Sequence, residues 1–331
     1  LNKQTPTDIL SEFSKKKILV IGDIMLDAYI WGNVSRISPE APVPVVLVSQ
    51  KEYRLGGAGN VALNIKSLGA APFLVSMTGD DEEASFLFNL LNEKKIAPEF
   101  LLKSSMRKTT TKTRIIANHQ QQLIRIDNED SRPLNEFDQN LLTDKVMEIL
   151  PLADAVVFSD YDKGVLNQKI IQLVISEARR LHIPTIADPK KDNFFSYQQA
   201  TLFKPNLKEL QEGLQMTFRR PVVMEELNAA ANKLFEKMNI DIAFITLSDE
   251  GIYVNNRESG KIIPSHKRNI YDVSGAGDTV SAVAALSMAC GLDLFQMAEL
   301  TNLAGGIVCE KVGVVPVEPE ELRNEMNKLK D

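Results

Sequence analysis

The strongest constraint on this chain is a regular alternation of short apolar runs with helical stretches. Strand-like runs at 72–77, 155–159, 184–187, 200–203 and 242–247 are mostly separated by helical patterns at 82–93, 135–150, 166–181 and 224–238. Parallel strands need a crossover that carries the chain back to the same end of the sheet, and a helix is the usual one. The alternation therefore predicts an α/β fold with a mainly parallel sheet and helices on both faces. Lys17-Ile18-Leu19-Val20-Ile21-Gly22 reads as a further central strand, with Asp23 and Asp27 just past its end. Residues 28–48 and 109–127 are β-prone, broken by turns and free of helical pattern. They predict strands of a small projecting sheet, a lid built from about 28–50 and 107–127 of a single domain over 1–331. Exposed faces of such a sheet predict a homodimer.

Composition removes several classes of function. A net charge of -6 argues against a nucleic-acid partner, since duplex binding relies on basic side chains to neutralise phosphates. No apolar run reaches the length of a membrane span. Cys290 and Cys309 lie in apolar helical stretches and read as core residues of a protein in a reducing compartment. His119, His182 and His266 are dispersed and form no zinc pattern. Residues 1–17 predict an amphipathic helix with Thr7 as N-cap, without the apolar core of a signal peptide. The chain does not begin with Met, so the natural start is expected to be trimmed, and the expected location is the cytoplasm.

Two glycine-rich turns carry the candidate chemistry. Asp272-Val273-Ser274-Gly275-Ala276-Gly277-Asp278-Thr279 opens an apolar helical segment at 280–290. Its bare N–H groups, at the positive end of a helix, suit an anion, and Asp278 falls in the first turn. A carboxylate beside an anion-holding turn is what phosphoryl transfer requires: the amides stabilise charge on the phosphoryl group and the acid takes the nucleophile's proton. The second turn, Leu55-Gly56-Gly57-Ala58-Gly59-Asn60-Val61-Ala62, mimics a dinucleotide fingerprint, with Asp80 roughly twenty residues on. That fingerprint needs a strand leading into its first glycine, whereas polar residues 49–54 precede this one. The other reading is a loop where backbone approaches a ligand and Asn60 offers its amide. The helix that follows stops at Gly69.

Polar groups gather after the strands. Ser159-Asp160-Tyr161-Asp162-Lys163-Gly164, Asp188-Pro189-Lys190-Lys191, Lys204-Pro205-Asn206-Leu207-Lys208-Glu209 and Thr246-Leu247-Ser248-Asp249-Glu250-Gly251 occupy corresponding strand ends. Together with Asp23 and the Asp278 turn they line one crevice, where open α/β sheets bind ligands.

With those residues in place, the chain resembles the ribokinase (PfkB) carbohydrate kinases. Gly56-Gly57-x-Gly59-Asn60-x-Ala62 and Asp272-x-Ser274-Gly275-Ala276-Gly277-Asp278 are similar to that family's two signatures, and Asn206-x-x-Glu209 to its third motif. Ser274 replaces the usual Thr, and Val283 stands where Ala or Gly is preferred. Residues 20–27, 35–45, 121–127 and 159–164 look closer to the branch acting on D-glycero-β-D-manno-heptose 7-phosphate. That branch is often fused to a C-terminal nucleotidyltransferase, so the chain would be a stand-alone kinase or a kinase portion.

The resemblance implies a ribokinase-like fold and ATP-dependent phosphorylation of the anomeric hydroxyl, with ATP and Mg²⁺ as cofactors and K⁺ as an optional one. Asp278 would be the base, and Gly275, Ala276 and Gly277 the anion hole. Asp23, Asp27, Gly56, Gly57 and Asn60 would hold the sugar. Its 7-phosphate would draw on Arg36, Lys112, Arg114, Arg125 or Lys163. Asn206 and Glu209 would organise Mg²⁺ and the ATP phosphates near Lys190 or Lys191. Thr246, Ser248 and Gly251 would line the nucleotide site, with Asn302 and Ala304 near adenine, and Asp272 and Ser274 would hold a monovalent cation. The rival expectations are another sugar kinase of this family, a dinucleotide-dependent oxidoreductase and a non-catalytic sugar-phosphate sensor.

Overall fold

The computed structural model describes residues 5–117 and 121–328. Residues 1–4 of the expected N-terminal helix, His119 and residues 118–120 of the second lid piece lie outside them. In chain order the elements are α1 (Pro6–Phe13), β1 (Lys17–Gly22), β2 (Ile24–Ile37), β3 (Pro44–Gly57), α2 (Ala58–Ser67), β4 (Ala71–Gly79), α3 (Glu82–Glu93), β5 (Leu101–Ser104), β6 (Thr111–Ala117) and β7 (Gln121–Asn128). There follow α4 (Glu136–Ile149), β8 (Ala155–Ser159), α5 (Gln168–Arg180), β9 (Thr185–Asp188), β10 (Leu202–Phe203), α6 (Leu207–Leu214), α7 (Met224–Met238), β11 (Ile242–Thr246), β12 (Ile252–Asn255), β13 (Gly260–Ile263), α8 (Ala276–Ala289), α9 (Leu294–Cys309) and α10 (Pro319–Lys328).

The main sheet runs β13-β12-β11-β10-β9-β8-β1-β4-β5. It is parallel from β5 to β11, and β12 and β13 extend it as antiparallel strands. Period-two alternation divides each central strand between two cores. Ile18 and Val20 of β1 join the core that includes α2, α8 and α9, while Leu19 and Ile21 join the one that includes α4, α5 and α7. Chain order reverses at β1, which has β4 on one side and β8 on the other. That reversal opens a crevice beyond the carboxyl ends of β1 and β8. There Gly22 passes so close to β8 that a Cβ would stand 1.9 Å from the Ser159 carbonyl oxygen.

The small sheet has the order β3-β2-β6-β7. Residues 49–54, expected to interrupt the strand before the second glycine turn, belong to β3, and residues 28–37, expected as β-prone pieces broken by turns, form the continuous outer part of β2. Residues 49–54 read as an interruption because a lid strand half in water carries polar residues on its wet face. At the N-terminus the cap is Thr5, not Thr7: its hydroxyl accepts from Asp8 N–H at 3.2 Å, and the Asp8 carboxylate accepts from Thr5 N–H at 2.9 Å.

Candidate active site

The glycine turn at 272–279 becomes the start of α8. Gly275 is the N-cap with φ +81°, and a Cβ there would lie 2.7 Å from Asn60 Nδ2, so both conformation and space select glycine. Ala276 and Gly277 occupy the first helical positions, where N–H groups lack intrahelical partners, although the Ala276 N–H donates to the Val273 carbonyl just ahead of the helix at 3.3 Å. Asp278 follows them and is only 4% exposed. Its Oδ2 accepts from Asn60 Nδ2 at 2.8 Å, and its Oδ1 accepts from the Tyr161 hydroxyl at 2.6 Å. Burial pushes its carboxyl up to about 6, against the opposing pull of the Tyr161 and Asn60 hydrogen bonds. A buried carboxylate poised near neutrality has the properties that proton abstraction requires.

Asn60 is itself fixed. It sits in the first turn of α2, where Asn64 donates from Nδ2 to its carbonyl at 2.9 Å and to its Oδ1 at 3.3 Å. Asn64 Oδ1 in turn accepts from Thr279 at 3.1 Å and from Val317 N–H at 3.0 Å, tying α2 to the first turn of α8. The strand leading into Gly57 is β3, paired with lid strands, whereas a dinucleotide fingerprint follows a parallel strand of the main sheet. The glycines serve close packing instead. A Cβ at Gly56 would stand 2.2 Å from Asp27 Oδ2, and one at Gly57, with φ +56°, 2.3 Å from the Asp23 carbonyl oxygen.

Asp23 is 1% exposed and accepts main-chain N–H groups of Tyr161 at 2.8 Å, Lys163 at 3.2 Å and Val165 at 3.1 Å. It therefore shapes the loop after β8, and of about four lone-pair directions it keeps about one for a ligand. Burial raises its carboxyl despite those donors. Asp27 is buried and paired with Arg114, whose guanidinium lies 5.3 Å from the Tyr29 ring centroid. Lys163 and Lys112 both hold Glu129, at 2.9 and 3.3 Å, and Arg125 holds Asp127 at 2.9 Å. Arg36 is exposed at the end of β2 and makes no ion pair among the described residues.

On the other flank, Asn206 and Glu209 cap α6 reciprocally: Glu209 N–H donates to Asn206 Oδ1 at 2.9 Å, and Asn206 N–H to Glu209 Oε2 at 2.8 Å. Glu209 Oε1 pairs with Lys190, and the neighbouring Lys191 is exposed. Thr246 bridges to Asn206, which brings the loop at 246–251 beside this cap. Ser248 has φ +58°, and Gly251, with φ +101°, passes the Ile263 carbonyl too closely for any Cβ. Asn302 donates to the Pro264 carbonyl at 2.7 Å. Ala304, expected near adenine, is fully buried in α9 and is a core residue. Both oxygens of Asp272 accept main-chain N–H groups, from Ser274 and Gly313, each at 2.9 Å. These bonds hold its carboxyl below the usual range although burial opposes them.

The structure adds groups to which no role was given from the sequence. Besides Tyr161, the buried Lys204 pairs with Asp188 Oδ2 at 2.9 Å, and Ser281 of α8 donates to the same oxygen at 3.1 Å. This trio braces the first turns of α8 against β9 and the end of β10. Tyr161 and Lys204 both stand in the polar clusters after strands, which is the one signal that could have singled them out.

A family described as pfkB family carbohydrate kinase matches residues 15–321. The bifunctional protein HldE of Campylobacter jejuni is 42% identical over 311 residues, which are 94% of this chain and 64% of that protein. The protein of the same name from Campylobacter curvus is 40% identical over 299 residues, 90% of this chain and 62% of that one. The chain thus spans less than two thirds of the length of these relatives. Among solved structures, phosphofructokinase-2 from Escherichia coli in complex with potassium matches with a TM-score of 0.78 at 18% identity, covering 96% of this chain and all of that one. Arabidopsis thaliana ribokinase complexed with ribose and ATP matches with a TM-score of 0.73 at 16% identity, covering 94% and 99%. The chain belongs to the pfkB family of carbohydrate kinases.

Proposed function

We propose that this kinase transfers the γ-phosphoryl group of ATP to the anomeric hydroxyl of D-glycero-D-manno-heptose 7-phosphate, giving heptose 1,7-bisphosphate for nucleotide-activated heptose synthesis. The observation that carries the chemistry is the buried Asp278 carboxylate at the N-terminus of α8. Its basic form removes the proton of the sugar hydroxyl as that oxygen attacks the γ-phosphorus. The bond from γ-phosphorus to the bridging oxygen breaks, and ADP leaves with its electron pair. The N–H groups of Gly275 and Gly277 receive charge on the transferring group, together with that of Ala276, which it shares with the Val273 carbonyl.

The heptose assignment rests on the resemblance of residues 20–27, 35–45, 121–127 and 159–164, together with about 40% identity to proteins named HldE. Asn60, Asp23 and the glycine pair 56–57 line the sugar side. Among the basic candidates for the 7-phosphate, Arg36 is the one with no carboxylate partner among the described residues. Asn206, Glu209, Lys190 and the loop at 246–251 face the nucleotide.

Among the described residues no group of three or more His, Cys, Asp or Glu could hold a metal. The donor set suits a Mg²⁺ that arrives with nucleotide phosphates, since such an ion needs only one or two protein carboxylates. Glu209 would be that carboxylate, and the ion would neutralise phosphate charge. Asp272 and Ser274 would flank a monovalent cation. We read the chain as one kinase domain with the small sheet as lid and dimer surface, working in the cytoplasm; among the described residues no helix is long and apolar enough to cross a membrane.

A panel of heptose 7-phosphate, fructose phosphates, ribose and nucleosides, with ADP release coupled to detection and ³¹P NMR of the product, tests the assignment. Heptose 7-phosphate should give the highest kcat/KM and a new anomeric phosphate resonance. Preference for another sugar, or transfer to another carbon, would refute it.

A further inference from the structure

Nothing in the proposed transfer uses the hydrogen bond from Tyr161 to Asp278. The phenol donates to Oδ1 at 2.6 Å, while Asn60 holds the other oxygen. Asp278 is only 4% exposed, and the phenol occupies its Oδ1. The same residue is tied to both ligand sides. Its main-chain N–H donates to Asp23 on the sugar side, at 2.8 Å. On the nucleotide side, the Lys190 ammonium lies 5.4 Å from its ring centroid and pairs with Glu209.

We propose that Tyr161 is a positioning residue that guards the base: its hydroxyl occupies Asp278 Oδ1 in the sugar-free enzyme and is displaced by the sugar hydroxyl to be phosphorylated. This rests on Asp278 being the base. Burial, together with the nearby Asp278 and Asp188 carboxylates, drives the phenol well above its ordinary range, so it stays a donor and does not rival Asp278 as a base. A buried carboxylate oxygen left unpartnered is costly, so a resident donor is replaced only by another donor in the same place. The sugar hydroxyl supplies one in an orientation fixed by its binding groups. A water molecule that enters with nucleotide alone must displace the phenol without that help. Tyr161 thereby suppresses the side reaction in which water gives its proton to Asp278 and attacks the γ-phosphorus, releasing phosphate and ADP.

The test is Tyr161→Phe, which keeps the ring beside Lys190 and removes only the hydroxyl. The sugar phosphate used is whichever one the substrate panel shows to be turned over. Calorimetry without nucleotide should show that sugar phosphate binding about threefold to tenfold more tightly, the equivalent of one net hydrogen bond. Sugar-independent ATP hydrolysis should rise several-fold over the parent. Tyr161→Leu, which also removes the ring, should move both readings in the same directions if the Phe variant does not fold. Unchanged or weaker sugar binding, or hydrolysis at the parent level, would overturn the proposal. So would a fall in kcat with sugar affinity unchanged, since the phenol would then stay on the base throughout transfer. Asp278→Asn run in parallel separates the two readings: retained turnover there refutes the base, whereas lost turnover with an unmoved Tyr161→Phe refutes only the guard.

Discussion

Asp278 is held at the cost of stability, and the cost has a sign that pH can reveal. Its carboxyl rises from an ordinary 3.8 to about 6 because burial disfavours the charge. Between those values the folded protein holds a proton that the unfolded chain has lost, so stability falls as pH rises through that window, and the full cost is present above it. Asp278→Asn removes this cost. We expect the variant to be more stable than the parent by up to about 3 kcal/mol at pH 8, with the difference closing below about pH 4. Chemical denaturation at the two pH values checks this, and a pH-independent difference would contradict it. Activity runs the opposite way: kcat/KM of the parent should decline as pH falls below about 6, where the base is protonated. At this scale the sequence was informative for residues that sit inside glycine-rich turns, since Asp278 and Asn60 are flagged by the backbone around them. Tyr161 and Lys204 matter through partners more than a hundred residues away or in another strand's loop, and no local pattern announces such a contact.

At the scale of elements, the first turn of α8 is braced from two sides, by Asn60 of α2 and by the Lys204–Asp188–Ser281 trio. Gly275→Ala puts a Cβ against Asn60 Nδ2 at a backbone conformation that side chains rarely adopt. A strained residue of this kind costs about 1–3 kcal/mol, and we expect a lower melting temperature together with a loss of kcat, because Asn60 moves off the base. A normal melt with parental kcat would show that the close approach is dispensable. Lys204→Met removes the buried ion-pair partner of Asp188 and leaves Ser281 and the nearby Lys190 to compensate in part, so we expect a loss of about 1–3 kcal/mol; urea denaturation showing no loss would contradict the bracing role. Helices with strong periodicity, such as α3 and α7, could be read to the residue. The run at 200–203 marks β10 but not its two-residue extent, and the β12–β13 hairpin is too short and too polar at its ends for periodicity to define. The longest strands, β2 and β3, were fragmented in the reading because their outer halves lie in water.

For the molecule as a whole, the lid leaves apolar surface uncovered. Every residue of β7 is exposed, and Ile124 and Ile126 on it are 54% and 51% accessible, with Leu47 of β3 at 73%. We expect a homodimer in which these faces meet, and Ile124→Glu combined with Ile126→Glu should shift the sedimentation coefficient to that of a monomer. A parent that already sediments as a monomer would contradict this. The mainly parallel sheet and a crevice at its strand ends followed from the alternation of runs and the polar clusters after them, whereas the strand order that places the reversal at β1 did not. The pairing of Asp27 with Arg114, which joins β2 to β6 across the lid, did not, since it depends on which lid strands lie side by side. The most direct test of the central chemistry is the turnover of Asp278→Asn with ATP and the preferred sugar phosphate. The variant should still bind ATP while kcat falls at least about a hundredfold; turnover within about tenfold of the parent would mean that another group takes the proton.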